Sequence, residues 1–343
     1  MYLFNLNKKK ISHKNNVGIK MRLKHGFILL IVTFSMVGVI STIPVHSSTT
    51  ATGTLQQIKD RGYLLVGADT TYAPFESINP DTNMPEGFDV DLAMIIADSL
   101  NVSLHYKTSA WDPIISNLKQ SQFDIILSAM TITSERAQEV DFTRWYYISS
   151  QAWLVPTANP KGITTEADLN QTGLRIGYQT GTTSDLYVNE SLPTAEGHGY
   201  ADVPTAIQAL KNDQLDVVLG DWAVLAKAAH DDTTLAVPGT FSPENFGIAV
   251  RQGDTDLLNA LNGVLDGLLG TDQNKPVYSD LYNTIYNKWF DVNVDNYTGT
   301  VTDAPLPTVS FVYEQPSTPG FELLSLFLLI PVVVIIRKRR NAN

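Results

Sequence analysis

Two ten-residue stretches of this chain follow one plan. Leu118-Lys119-Gln120-Ser121-Gln122-Phe123-Asp124-Ile125-Ile126-Leu127 and Leu210-Lys211-Asn212-Asp213-Gln214-Leu215-Asp216-Val217-Val218-Leu219 each pass from the end of an amphipathic helix, through a polar turn, into a short apolar run. Apolar runs of this length, bounded by turn residues, read as buried strands. A second pair occurs upstream in the same order: Leu64-Leu65-Val66-Gly67 and Leu174-Arg175-Ile176-Gly177, each followed closely by Thr70 and Thr71 or by Thr180. The chain therefore holds two α/β units of related build, and its 343 residues agree with a length prior of about two domains.

The segments between these landmarks switch between the helical and strand periods. Residues 64–68 read as a strand, and 89–100 as a helix with Leu92, Ile95, Ile96 and Leu100 on one face. Residues 102–106 read as a half-buried strand, 113–119 as a helix opened by Pro113, and 123–127 as a fully buried strand. Ser134 is expected to cap a short helix running to Val140. In the second unit 204–212 is a helix opened by Pro204, 215–219 a strand and 222–229 a helix. Beyond Asn245, residues 247–250 read as a strand, and 254–270 and 275–290 as helices. Strands alternating with helices imply parallel sheets in an α/β fold. Ligands in such folds lie beyond the carboxyl ends of strands, which points at 69–72, 128–131, 180–183 and 220–221.

Composition removes several function classes. Cysteine is absent, so disulfide scaffolds, thiolate metal sites, cysteine nucleophiles and lipid anchoring through an N-terminal cysteine are excluded. A net charge of -11 argues against a nucleic-acid binder, which needs a basic face. The bases are also unevenly placed. Lys8, Lys9, Lys10, Lys14, Lys20, Arg22 and Lys24 lie in residues 1–47, which contain no acid, and an apolar run follows at 27–40. That is the pattern of a secretory signal, with Met21 as an alternative start; a permanent N-terminal anchor is the plainer alternative. At the other end come Pro319-Gly320-Phe321-Glu322, an apolar run at 323–336, and Arg337-Lys338-Arg339-Arg340. The run falls short of the roughly 17–25 residues of an unaided membrane span, and the basic cluster implies a cytoplasmic end. Residues 296–318 are rich in Thr, Pro and Val without helical period and read as an extended stalk. Asn-x-Ser/Thr sequons begin at Asn101, Asn170, Asn189 and Asn296, which fits an exported chain. No His/Asp/Glu spacing suggests a metal site, and no cofactor is expected.

Five stretches in register carry a resemblance. They are Val66-Gly67-Ala68-Asp69-Thr70-Thr71-Tyr72-Ala73-Pro74-Phe75-Glu76; Gly87-Phe88-Asp89-Val90-Asp91-Leu92-Ala93; Phe123-Asp124 through Ser128-Ala129-Met130-Thr131-Ile132-Thr133-Ser134-Glu135-Arg136 with Val140-Asp141-Phe142; Gln179-Thr180-Gly181-Thr182-Thr183; and Lys288-Trp289-Phe290. In this order they resemble extracellular solute-binding proteins of family 3, the amino-acid receptors of ABC importers. The resemblance implies the two-lobed α/β fold of type 2 periplasmic binding proteins. Lobe 1 is then expected at 55–150 plus 247–291 and lobe 2 at 151–246, joined by two hinge crossovers near 149–151 and 245–247. The ligand is expected in the inter-lobe cleft. The tail at 319–343 resembles the PGF-type sorting signals of archaeal surface proteins, in which the tail is removed and the protein is linked to a lipid. Plain membrane anchoring is the alternative.

A free amino acid is a zwitterion, so a sheltered cleft must supply one cation, one carboxylate and neutral donors. Arg136 stands at the family's carboxylate-binding arginine, where a guanidinium can give two parallel hydrogen bonds. Asp221, which follows a strand in the second unit, is expected to meet the ammonium, or to cap the next helix, or both. Ser128, Ala129 and Thr131 in one unit, and Thr183 and the weaker Thr182 in the other, are expected around the carboxylate; Ser and Thr also favour turns and caps. Tyr72 and Trp111 occupy the family's aromatic walls, with core packing as the alternative. Asp69 is expected either at a polar or cationic ligand side chain or as a cap of its own turn. Ala129 stands where relatives often have serine or glycine, and Pro113 where many have glycine.

Partners expected from this reading are a free amino acid, the permease subunits of an ABC importer, and the cell membrane through the C-terminal tail, with no nucleic acid. Two other functions fit the same fold. One is a cyclohexadienyl dehydratase-like enzyme, for which Asp221 or Asp69 would serve as the acid. The other is a ligand-sensing ectodomain that signals through another subunit.

Overall fold

The computed structural model describes residues 53–290 and 304–315. The expected signal region, the apolar run at 323–336 and the basic tail lie outside the described residues.

The repeated stretches fold alike, and the reason is local. One helix, Ile114–Lys119, and its counterpart, Val203–Lys211, each end two residues before a positive-φ residue, Ser121 or Asp213, both at φ 58°. That left-handed residue turns the chain so that Gln122 N–H returns to Asn117 O and Gln214 N–H to Ala209 O, both at 3.0 Å. The aspartate that follows then ties two strands together. Asp124 accepts from Leu65 N–H at 2.8 Å, and Asp216 accepts from Arg175 N–H at 3.0 Å. The glycines of the upstream echo lie beneath the same turns. A Cβ on Gly67 would strike the Phe123 ring at 2.5 Å, and one on Gly177 would strike Leu215 Cδ1 at 2.3 Å.

In chain order the helices are α1 (Thr54–Arg61), α2 (Phe88–Ser99), α3 (Ile114–Lys119), α4 (Thr183–Ser191), α5 (Val203–Lys211), α6 (Trp222–Asp231), α7 (Thr255–Leu269) and α8 (Asp280–Phe290). The strands are β1 (Tyr63–Ala68), β2 (Thr71–Tyr72), β3 (Glu76–Ile78), β4 (Pro85–Glu86), β5 (Ser103–Thr108), β6 (Ile125–Ile126), β7 (Val140–Pro156), β8 (Arg175–Gln179), β9 (Glu196–Tyr200), β10 (Val217–Asp221), β11 (Leu235–Arg251) and β12 (Phe311–Glu314). Nine strands form one sheet in the order β12-β5-β1-β6-β11-β7-β10-β8-β9, and β2-β3-β4 form a small second sheet.

The parallel pairing expected from the alternation holds within each unit: β1 pairs with β5 and β6, and β8 with β9 and β10. Between the units it does not. The expected strand at 247–250 is the last part of the 17-residue β11, which runs antiparallel to both β6 and the 17-residue β7. Residues 149–151 and 245–247, where crossovers are expected, lie within these two long strands, which pair with Glu244 opposite Ser149 and Asn245 opposite Ile148. Their register shifts between Phe241 and Pro243 and again between Phe246 and Ala249. Bulges bend a ladder locally.

Other boundaries move for identifiable reasons. The helix expected from Ser134 to Val140 is a single 3-10 turn, Arg136–Gln138, with Glu135 at its N-cap position and no side-chain cap bond; the Thr133 hydroxyl, not that of Ser134, accepts from Arg136 N–H at 3.2 Å, and Val140 already begins β7. α5 starts at Val203 because Asp202 accepts from Thr205 N–H at 2.7 Å, with Pro204 in the first turn. The expected stalk is not wholly a stalk. Within 296–318, β12 pairs in parallel with β5, from Phe311 opposite Leu104 to Glu314 opposite Lys107. Phe311 meets Tyr106 edge-on at 6.2 Å, and the Tyr313 hydroxyl lies 3.0 Å from that of Thr108.

The core beside the first unit is aromatic. Phe75 meets Tyr147, Phe246 and Phe290 at centroid distances of 5.0, 5.3 and 5.3 Å. α8 is fastened to α2 by Lys288 Nζ and Trp289 Nε1, which both donate to the buried Asp91 Oδ2 at 2.7 and 2.6 Å. A separate cluster, with Trp153, Ile176, Val217 and Leu219, fills the second unit.

Candidate functional site

A small, narrow cavity lies between the two units, at the carboxyl ends of β1, β6, β8 and β10. All ten residues singled out from the sequence line it, together with Gln179. The two walls are set by the two units. Asp69 and Tyr72 follow β1, Trp111 follows β5, and Ser128, Ala129, Thr131 and Arg136 follow β6; Gln179, Thr182, Thr183 and Asp221 stand at the ends of β8 and β10.

Arg136 is the cation of this cavity. Its Nη1 donates to Thr131 O at 2.9 Å and its Nη2 to Gly181 O at 3.3 Å, and the guanidinium stacks over the Trp111 ring at 5.1 Å. Burial lowers its pKa, opposed by the nearby Glu244 and Asp221, and a guanidinium stays charged regardless. Trp111 lines the cavity and also packs against the cluster of Ile114, Leu118 and Phe123. Its Nε1 donates to Gly181 O at 3.0 Å.

Asp221 is buried at the first turn of α6, yet its carboxylate makes no cap bond. It accepts instead from the Tyr72 hydroxyl at 2.5 Å, the Ser149 hydroxyl at 3.2 Å and Gln151 Nε2 at 3.4 Å. Burial first, then the charge of Glu244, pushes its pKa up to about 8. A group held this way gains from an incoming ammonium, which would stabilise its charged form. Asp69 accepts from Thr71 Oγ1 at 2.8 Å and from Gln179 Nε2 at 2.7 Å; burial raises its pKa as well. Its cap role and its position in the cavity therefore coexist.

The small polar residues divide. Thr131 and Thr183 point their hydroxyls to one atom, Glu244 Oε2, at 2.5 and 3.2 Å. Thr182 is the N-cap of α4, accepting from Asp185 N–H at 3.3 Å and donating to Gln179 O at 2.6 Å. The Ser128 hydroxyl is turned inward, donating to the buried Glu76 at 2.5 Å and accepting from Asp69 N–H at 2.9 Å. Ala129 adopts φ 44°, and its N–H donates to Asp89 at 2.7 Å.

Sequence reading missed Gln179 and Glu244. Gln179 had a signal, since it ends β8 where Asp69 follows the matching β1. Glu244 had none, because it lies within the long β11 and meets the Thr131 and Thr183 hydroxyls of the cavity wall only through the pairing of β11 with β7.

No group of His, Asp and Glu able to hold a metal occurs among the described residues, and none of their helices is long and apolar enough to cross a membrane.

Residues 64–292 match the model of the bacterial extracellular solute-binding proteins, family 3. The chain belongs to that family. This family 3 protein is 34% identical over 215 residues to the L-cystine-binding protein TcyJ of Escherichia coli K12, covering 62% of this chain and 80% of the relative. It is 33% identical to a putative ABC transporter arginine-binding protein 2 of the same strain, covering 65% of this chain and 88% of the relative. Among solved structures, holo ArgBP from T. maritima superposes with a TM-score of 0.60 at 34% identity, covering 68% of this chain and 99% of that one. The ancestral amino acid-binding protein AncCDT-1, a precursor of cyclohexadienyl dehydratase, gives 0.63 at 34%, covering 69% and 100%. The fold of the family 3 protein is thus that of the type 2 periplasmic amino-acid-binding proteins.

Proposed function

We propose that this protein is an exported receptor that captures a polar or cationic L-amino acid and delivers it to an ABC importer by hinge closure. The observation that carries the reading is one arginine and one buried aspartate, Arg136 and Asp221, in a single sheltered cavity built from both units. A zwitterion needs that pair. Arg136, with the Thr131 and Thr183 hydroxyls, receives the α-carboxylate; Asp221 receives the ammonium; Tyr72 and Trp111 wall the side chain; Asp69 meets its polar end. Two acids, Asp69 and Asp221, line the cavity with one guanidinium, which favours a ligand carrying an additional positive charge. Relatives named for arginine and histidine support that preference.

Closure has a structural basis. Tyr72 to Asp221, Gln179 to Asp69 and Trp111 to Gly181 all bridge the expected lobes, 55–150 plus 247–291 and 151–246. A ligand shifts the open–closed balance only by its preference for the closed state. The tail at 319–343 would hold the receptor at the cell membrane, consistent with the extracellular character of the family.

A thermal-shift panel of the common L-amino acids tests the reading, because bound ligand raises apparent stability. Stabilisation by one or a few, with cationic amino acids foremost, is the expected result; stabilisation by none would sink it. AncCDT-1, described as a dehydratase precursor, makes turnover worth testing. Conversion of prephenate or arogenate by the purified protein would replace the transport reading by an enzymatic one.

A further inference from the structure

Behind the cavity wall lies a pair of acids that the binding reading does not use. Glu76, at the start of β3, and Asp89, in the first turn of α2, are both 0% exposed. Neither forms an ion pair with any described Lys, Arg or His. Each has one oxygen committed to the ligand-side loop. Glu76 Oε1 accepts from Ser128 Oγ at 2.5 Å, and Asp89 Oδ2 accepts from Ala129 N–H at 2.7 Å and from Tyr146 Oη at 2.8 Å. Their other oxygens, Glu76 Oε2 and Asp89 Oδ1, have no partner and are shut away from solvent.

Two buried carboxylates that interact closely cannot both hold a charge at low cost. Glu76 and Asp89 lie within side-chain hydrogen-bond reach of each other, so a single proton shared by them removes one charge and supplies the donor that their unpartnered oxygens lack. We propose that Glu76 and Asp89 share one proton, donated by Glu76 to Asp89, and that this dyad positions Ser128 and Ala129 for ligand binding. It rests on the binding reading only for its effect on affinity; the shared proton itself does not.

The surroundings agree. The groups that face the pair are Asp69 beyond β1, Tyr106 on β5, Tyr146 and Tyr147 on β7 and Tyr282 on α8, and none of them is cationic. Burial raises the pKa of both acids, with Asp89 near 7 and Glu76 well above its ordinary value. The ligand side of the dyad is direct. Ser128 Oγ passes the Glu76 contact on to Asp69 N–H, and the Asp89 bond to Ala129 N–H holds that residue at φ 44°, a conformation a non-glycine residue rarely adopts. Loss of the shared proton would place two anions side by side, loosen both arms and add negative potential behind the ligand carboxylate.

Glu76→Gln separates this role from simple packing. Its amide oxygen can still accept from Ser128, and its amide hydrogen replaces the shared proton toward Asp89, but it does not titrate. The infrared spectrum of the unliganded protein at pH 7 is expected to lose one protonated-carboxyl C=O band in Glu76→Gln. Affinity of wild type for its best amino acid, relative to Glu76→Gln, is expected to fall about tenfold per pH unit once the proton leaves, as one released proton requires. Asp221 titrates in both proteins, so the ratio cancels it. Glu76→Ala, which leaves Asp89 Oδ1 without a donor, is expected to bind more weakly than Glu76→Gln. An unchanged infrared band, or parallel pH profiles for wild type and Glu76→Gln, would overturn the dyad. If no amino acid binds, the transport reading fails, and the infrared comparison still decides the proton.

Discussion

The single residues of this cavity are held by bonds that a ligand must join or replace, and that sets what their substitution does. Arg136 already spends two N–H groups on Thr131 O and Gly181 O, so its other donors are the ones left for an α-carboxylate. Arg136→Ala is expected to weaken binding of every amino-acid ligand by about 1.5–3 kcal/mol, the range for hydrogen bonds to charged groups. Calorimetry across several ligands measures it, and an undiminished affinity would remove Arg136 from the site. Trp111→Ala is instead expected to change the rank order of ligands, because its ring lines the cavity and on the proposed reading would wall the ligand side chain; an unaltered order would return it to the core. Asp221 adds a pH dependence. With its pKa near 8, the empty protein carries the Asp221 proton at pH 7, and an ammonium ligand expels it. Affinity should therefore rise with pH up to about 8, with proton release visible as a buffer-dependent binding enthalpy. The same shift acts on the empty fold with a defined sign. The native state holds this proton up to about pH 8 while an unfolded aspartate loses it near about pH 4, so Asp221 favours folding progressively less as pH climbs through that window.

At the scale of elements, the aspartate of the repeated helix–turn–strand unit ties its strand to the neighbouring one, in addition to the burial of the apolar run. Asp124 and Asp216 are both buried, and each satisfies the backbone N–H of the neighbouring strand while also taking an arginine, Arg61 or Arg175. Replacing either by alanine leaves a buried N–H unpaired, a cost of about 1–3 kcal/mol. Urea unfolding of Asp124→Ala and Asp216→Ala should show losses in this range. A loss below about 0.5 kcal/mol, the scatter of neutral surface changes, would mean that the echo is only one of hydrophobic pattern. β12 makes a second claim at this scale. It covers the open edge of β5 and buries part of Phe311 against Tyr106. A chain ended at residue 303 exposes that edge and is expected to melt lower, by about 2–4 °C for each kcal/mol lost. An unchanged melting temperature would make 304–315 a passive linker.

At the scale of the whole molecule, the two units communicate through one pair of long strands. β7 and β11 run through both, and three of their register shifts fall between Phe241 and Ala249, with another between Ala236 and Gly239. Glu244 lies on that stretch and collects the Thr131 hydroxyl from one unit and the Thr183 hydroxyl from the other. These are the hydroxyls assigned to the ligand carboxylate, so an incoming ligand competes with Glu244 for them. Glu244→Gln, a weaker acceptor, is expected to tighten binding of the preferred amino acid severalfold if that competition operates. Weaker binding would show that the carboxylate instead contributes to recognition. Scattering in solution should also report a smaller radius with ligand than without, as hinge closure requires.

The sequence by itself determined the strand ends and what stands on them. Asp69, Ser128, Thr131, Arg136, Thr183 and Asp221 follow short apolar runs whose period and turn residues are local properties, and a parallel α/β unit brings such ends to one edge. Local patterning also explains the twin turns, since Ser121 and Asp213 occupy the same step after matched helices. What lay beyond it depended on distant partners. Only the tertiary structure decided that 247–250 belongs to a 17-residue antiparallel strand, that Glu244 thereby meets the Thr131 and Thr183 hydroxyls, and that 311–314 closes a sheet edge beside residues 104–107. It also decided which carboxylates are caps and which are free, turning Ser128 inward to Glu76 and Asp221 away from its helix. Hydrogen-bond partners separated by fifty residues or more leave no periodic trace in a sequence, because they are chosen by packing after the strands have formed.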